Sequence, residues 1–247
     1  YNLEISGDLT AGVAAAFAGS ATNSTFQNCI NTATVTGTSE TGLVGGLVGY
    51  ALRCSFFDCQ NAGRVSGPAR AAGGIVGEAL GCEFEYCFNE QSVQGAPRAG
   101  GIIGTMALPS GIATRTTLAQ CANQASVQGG QFAGGLIGLA MAQTTITQSY
   151  NRAAVEGGSY SYNGVAYAGG LVGYVGTSES TVVIEDSFNA DAVWAVASGA
   201  SSYAFAGGFM GGTGSRFAIA RSYNTGDVSA TIANGTAAGA FVGHANK

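Results

Sequence analysis

Apolar residues in this chain come in short groups of four to six, each cut off by glycine or by Ser, Thr and Asn, and no stretch sustains the spacing of an amphipathic helix. Such groups are predicted to be strands bounded by turns. The most regular of them is a pentapeptide, GGLVG at Gly45 to Gly49, which returns as GGIVG ending at Gly77, GGIIG at Gly104, GGLIG at Gly138, GGLVG at Gly173, GGFMG at Gly211 and GAFVG at Gly243. A divergent copy, AAFAG, ends at Gly19.

Other columns keep step with the pentapeptide. An asparagine recurs at Asn31, Asn61, Asn89, Asn123, Asn151, Asn189 and Asn224, two residues after a Cys or Ser. Three residues before that Cys or Ser stands Phe26, Phe56, Phe84, Leu118, Ile146, Ile184 or Ile219, and four residues after the Asn stands Val35, Val65, Val93, Val127, Val155, Val193 or Val228. A unit of 27 to 38 residues cannot bury its own apolar face, but identical units stacked about 4.8 Å apart place like over like. The chain is therefore predicted to be all-β, a single β-solenoid (parallel β-helix-like) of about eight coils. One repeat domain spans 1–247, with a worn N-terminal coil at 1–19 and a terminal coil at 239–247. In that arrangement the Asn column forms a ladder of stacked amides, and the glycines serve corners or the close approach of one coil to the next.

Composition narrows the function classes. Charged residues make up only 9%, against roughly 25% in ordinary soluble domains, the formal charge is -5, and Lys247 is the only lysine. With no basic cluster, neither nucleic acid nor an anionic membrane surface is an expected partner. No apolar run reaches the roughly 18 residues of a spanning helix, so no membrane insertion is expected within this segment. The glycine-rich pentapeptides lack the lysine of a phosphate-cradling loop, and no cofactor is expected.

The combination of GGLVG with [CS]-x-N-x-x-x-V-x-G resembles the GLUG repeat, over about residues 12 to 243. That repeat occurs in bacterial surface and adhesin-like proteins and in regions outside the catalytic domain of metallopeptidases that cleave immunoglobulin A. The resemblance implies an extracellular, cell-surface location more firmly than any activity. AAFAG, GAFVG and the Ser that replaces Cys in the last three copies are departures from the pattern.

Six cysteines occupy two columns, Cys29, Cys59, Cys87 and Cys121 in one and Cys54 and Cys82 in the other. Extended chain between Cys54 and Cys59 is too long for both to join one tetrahedral zinc site, and no metal is expected. Neighbouring coils bring α-carbons within bridging range, which makes Cys54–Cys82 the candidate disulfide, while buried free thiols are the default reading. With His244 the only histidine, no catalytic residue is assigned and the chain is expected not to be an enzyme. Acidic groups at Glu83, Glu85 and Glu90 and at Glu185, Asp186 and Asp191 leave a polysaccharide-cleaving carboxylate pair as an alternative, beside solvated outward positions.

Binding is expected where the repeat breaks. Two consecutive coils carry inserts, reading GGSYSYNGVAYA from Gly157 and ASGASSYAFA from Ala197, and the only Trp, Trp194, takes an outward position in the second. Aromatics among Ser, Gly and Asn are the composition of adaptable recognition surfaces, so Tyr160, Tyr162, Tyr167, Trp194 and Tyr203 form the candidate ligand site. The expected function is a non-catalytic surface spacer or adhesive segment whose partner is a host or bacterial surface protein or glycan. The alternatives are an accessory region of a secreted metallopeptidase and a polysaccharide-cleaving β-helix enzyme.

Overall fold

The computed structural model describes residues 3–95, 97–106, 115–158, 164–176, 180–198, 202–231 and 236–245. Among them every regular element is a β-strand, and every strand pairing is parallel. A β-solenoid is what results, with five short strands to the coil. In one coil these are Gln60–Asn61, Val65–Gly67, Ala71–Gly73, Val76–Leu80 and Glu83–Glu85. Their equivalents stack into five sheets, called here the asparagine, valine, alanine, pentapeptide and phenylalanine faces after the residue each turns inward or the motif it carries.

Complete coils run over 29–57, 60–85, 88–119, 122–147, 150–185 and 188–220. The partial coils 3–27 and 223–245 flank them, the first joining the alanine face only through a bridge from Ala14 to Val44 and the last ending, among the described residues, without a phenylalanine-face strand. The expected eight coils are thus six complete turns and two partial ones.

Register is strict because like pairs with like. Phe26, Phe56 and Phe84 stack with ring centroids 4.9 and 4.8 Å apart, and Val35, Val65 and Val93 lie over one another. The cross-section is pinched into two cores. The larger one holds Leu47, Ile75, Phe56, Phe84 and their equivalents between the pentapeptide, phenylalanine and asparagine faces. The smaller one packs Val35, Val65 and Val93 against Val44, Ala72 and Ala99.

The waist between the cores is polar and fully hydrogen-bonded. Asn31 Nδ2 donates to Asn61 Oδ1 at 2.7 Å, and the chain of amides continues through Asn89, Asn123, Asn151 and Asn189 to Asn224. Each Nδ2 also donates to the carbonyl two residues on, as Asn123 does to Ala125 at 2.7 Å. From Asn31 to Asn189 both amide protons are used, in sites with no water access, which is what allows a polar side chain there. Ile5 takes the Asn place in the first coil and closes that end of the ladder.

Pentapeptide glycines work by close approach. The second glycine lies on the asparagine amide of the facing ladder: a Cβ on Gly101 would meet Gly135 O at 2.1 Å and the Asn123 side chain at 2.5 Å. None of them has positive φ. Positive φ falls instead at glycines outside the motif, such as Gly81 and Gly95, and at non-glycine residues just before the Cys or Ser column, among them Asn28, Asp58, Tyr86, Gln120 and Gln148.

All six cysteines are buried free thiols, so the Cys54–Cys82 disulfide is not formed. Each thiol of the pair donates to the carbonyl two residues back, Leu52 and Leu80, at 3.4 Å, and Cys54 N–H donates to Cys82 Sγ at 3.4 Å. Cys82 Sγ also donates to Ala51 O of the preceding coil at 3.5 Å, so both sulfurs are held by backbone groups. Ser149, Ser187 and Ser222 make the same bond back to the chain as the cysteines they follow, at 2.7 to 2.8 Å, which accounts for Ser replacing Cys. Burial pushes the Cys29 and Cys82 thiols up to about 11, and a hydrogen bond with Cys87 followed by burial raises Cys59 further.

Gly101→Ala is expected to lower stability by about 3 kcal/mol, because backbone on one side and the ladder on the other block relaxation. Gly12→Ala, whose Cβ would meet only Ser39 at 3.7 Å, is expected to stay within about 0.5 kcal/mol; urea unfolding of both variants checks the pair. The buried thiols are expected to resist an aromatic disulfide reagent in native buffer and all six to react in denaturant. Rapid native labelling of Cys59 or Cys87 would contradict this packing.

Candidate functional site

Where the alanine face turns into the pentapeptide face, the strands fold back on each other with no side chain between them. A Cβ on Gly73 would meet Val76 O at 2.0 Å and Gly104 N at 2.7 Å, and one on Gly104 would meet the Ala72 carbonyl at 2.7 Å. This corner is re-entrant, so outward side chains on its two sides converge into a groove along the rod. One wall is the column Ala71, Arg98, Phe132, Tyr167, Phe205 and Ala237. The other is Tyr50, Glu78, Thr105, Leu139, Tyr174, Gly212 and His244.

Contacts across the corner confirm the convergence. Phe132 stacks on Tyr174 at 5.3 Å, Tyr167 meets Tyr174 at 4.7 Å and Phe205 meets His244 at 4.5 Å. Along the alanine wall, Phe132, Tyr167 and Phe205 stack on one another at 5.6 and 5.0 Å, one ring per coil. Gly212 is needed here, since a Cβ would meet the Tyr167 ring at 2.6 Å. Burial in the groove pushes the Tyr167 hydroxyl up to about 12, with Tyr174 adding to it.

Toward the N-terminal coils the groove changes character. Glu78 is 6% exposed although it sits on an outward column, and Arg70 reaches its Oε2. Arg98, half-buried one coil on, has its pKa lowered by burial first and by the neighbouring Arg70 second, with Glu78 opposing. Thr105, in the same coil as Arg98 and on the opposite wall, is fully buried with no partner for Oγ1.

The five residues expected to form one patch are distributed differently. Tyr160 and Tyr162 lie outside the described residues. Tyr167 lines the groove, and Tyr203, 49% exposed, lies parallel to Phe205 at 6.2 Å near its rim. Trp194 stands on the valine face in the column of Gln128, Glu156 and Ser229 and is not part of the stacked set among the described residues. Its outward position in a coil with an insert drew it into the patch, but that position lies on the valine face and not on either wall of the re-entrant corner.

Sequence reasoning missed Phe132, Tyr174, Arg98 and Glu78. Their signal was available, because they fill the positions two before the first glycine of the pentapeptide and one after its last. Those positions vary while the motif between them does not.

The acidic groups are used otherwise. Glu83 and Glu85 flank inward Phe84 and point outward. Glu185 and Asp186 are both held by Arg221, at 3.2 and 2.6 Å, and the hydrogen bond from Arg221 holds the Asp186 carboxyl below the usual range. Elsewhere, a shallow depression of about 250 Å³ lies between Ile30, Gln60 and Phe88 and the corner residues Asp58 and Tyr86, without a buried unpaired polar group. Among the described residues no cluster of three metal-ligating side chains occurs.

No family model, no curated protein and no solved structure matches this chain.

Arg70→Ala leaves the Glu78 carboxylate buried beside fewer counter-charges. It is expected to cost about 2 kcal/mol, less than for a fully buried pair because Arg70 is 40% exposed. Adding Glu78→Ala is expected to restore part of that loss in a double-mutant cycle followed by thermal unfolding.

Proposed function

We propose that this chain is a non-catalytic recognition segment of a bacterial cell-surface protein, and that its groove holds an extended glycan along the solenoid axis. The observation that carries this reading is the row Phe132, Tyr167 and Phe205, one aromatic ring per coil in a re-entrant corner, with Tyr174 facing it. Because the rings stack on one another, they turn their edges outward as a continuous apolar strip, along which the apolar faces of a chain of pyranose rings can lie.

Spacing favours a glycan over a peptide. Coils rise by about 4.8 Å, close to the length one sugar adds to an extended β-linked chain. An extended peptide presents same-side residues about 6.6 Å apart, from its rise of about 3.3 Å per residue, and falls out of step with the row. The extracellular assignment rests on the resemblance to the GLUG repeat, and a charge-poor stacked rod suits a spacer that must keep its shape outside the cell.

The test is capture of the whole chain on an array of β-linked oligosaccharides. Tyr167→Ala and Phe205→Ala are each expected to weaken capture about tenfold, equivalent to about 1.4 kcal/mol, with circular dichroism unchanged. Trp194→Ala, on the valine face, is expected to leave capture intact. If capture survives both groove variants and is lost with Trp194→Ala, the groove reading is replaced by the valine face.

A further inference from the structure

We infer that the N-terminal part of the groove is a carboxylate seat built on Arg98, so that the glycan it takes is an acidic, uronic-acid chain. The inference rests on the groove being the glycan site and adds the class of glycan.

Charge in this part of the groove does not balance. Arg70 and Arg98 face a single carboxylate, Glu78, and Glu78 is engaged by Arg70. Among the described residues no carboxylate or carbonyl receives the half-buried Arg98 guanidinium. A partly desolvated guanidinium without an acceptor is an unfavourable arrangement that an incoming anion relieves. Its planar fork of donors matches the two oxygens of a carboxylate.

Thr105 stands on the wall opposite Arg98 in the same coil and is fully buried, which leaves Arg98 as the group an incoming anion meets. In the next coil the alanine wall continues in register from Arg98 to Phe132, where the aromatic row begins. A chain of rings on that row places the substituent of its first sugar at Arg98.

The decisive comparison is between the tetramer of β-1,4-linked glucuronic acid and cellotetraose, which differ only in a carboxylate in place of a hydroxymethyl group on each ring. By titration calorimetry of the whole chain at low salt, the glucuronic tetramer is expected to bind at least about tenfold more tightly, and added salt is expected to erode the difference. Arg98→Gln is expected to remove the preference with the melting curve unchanged.

Equal binding of the two tetramers, or a preference that survives Arg98→Gln, overturns the carboxylate seat and leaves the glycan groove standing. A sulfated cello-oligosaccharide that binds as tightly as the glucuronic tetramer, and keeps its affinity in Arg98→Lys, overturns the carboxylate in favour of any anion. Binding of poly-glutamate with neither tetramer bound overturns both the seat and the glycan reading.

Discussion

The contact between the asparagine amides and the second glycine of each pentapeptide sets the shape of this protein. Without it the coil would close around one round core, and with it the coil is drawn in at a waist. The amide needs neighbours above and below to satisfy its protons and oxygen, so it fixes the register of the stack. The glycine has no side chain, so the facing wall can come down onto the amide plane. Each half of the contact is unfavourable alone, since a buried unpaired amide costs on the order of 1 to 3 kcal/mol and interior glycines loosen strands. Together they form a polar spine that separates a large aliphatic core from a small Val and Ala core.

That pinch also makes the outer surface useful. Drawing one corner inward brings two columns of outward side chains together, and these are the columns in which the repeat is free to vary. The invariant part of the repeat builds a trough, and the variable part writes its chemistry. Moving along the rod, the trough passes from Arg70, Glu78 and Arg98 to Phe132, Tyr167 and Phe205. Rings and charges placed this way stand at coil spacing, a repeat that few ligands other than chain polymers can follow.

The columns that build the cores were legible in the sequence. Phe56 over Phe26 and Asn61 over Asn31 follow from in-register stacking alone, and stacking follows from recurrence. The groove was not legible, because its walls depend on which corner of the coil is re-entrant. That is decided by backbone approaches such as Gly73 to Val76, which no side-chain pattern displays. Trp194 illustrates the cost: its outward direction was readable from alternation, but the direction its whole face looks was not. The cysteines follow the default for buried thiols: their separation suits a bridge, but each sulfur is taken up by backbone hydrogen bonds.

The asparagine ladder has one more consequence. Every link in it donates the same way, from each amide to the one in the next coil, so the side-chain dipoles add instead of cancelling as paired strand dipoles do. The row behaves like a weak bar magnet of charge, its acceptor end shut by Ile5 and its donor end carried by Asn224, whose Nδ2 is left with only the Gly226 carbonyl. The two ends of the rod are therefore electrically distinct, and the molecule has a head and a tail written in its interior as well as in its chain direction.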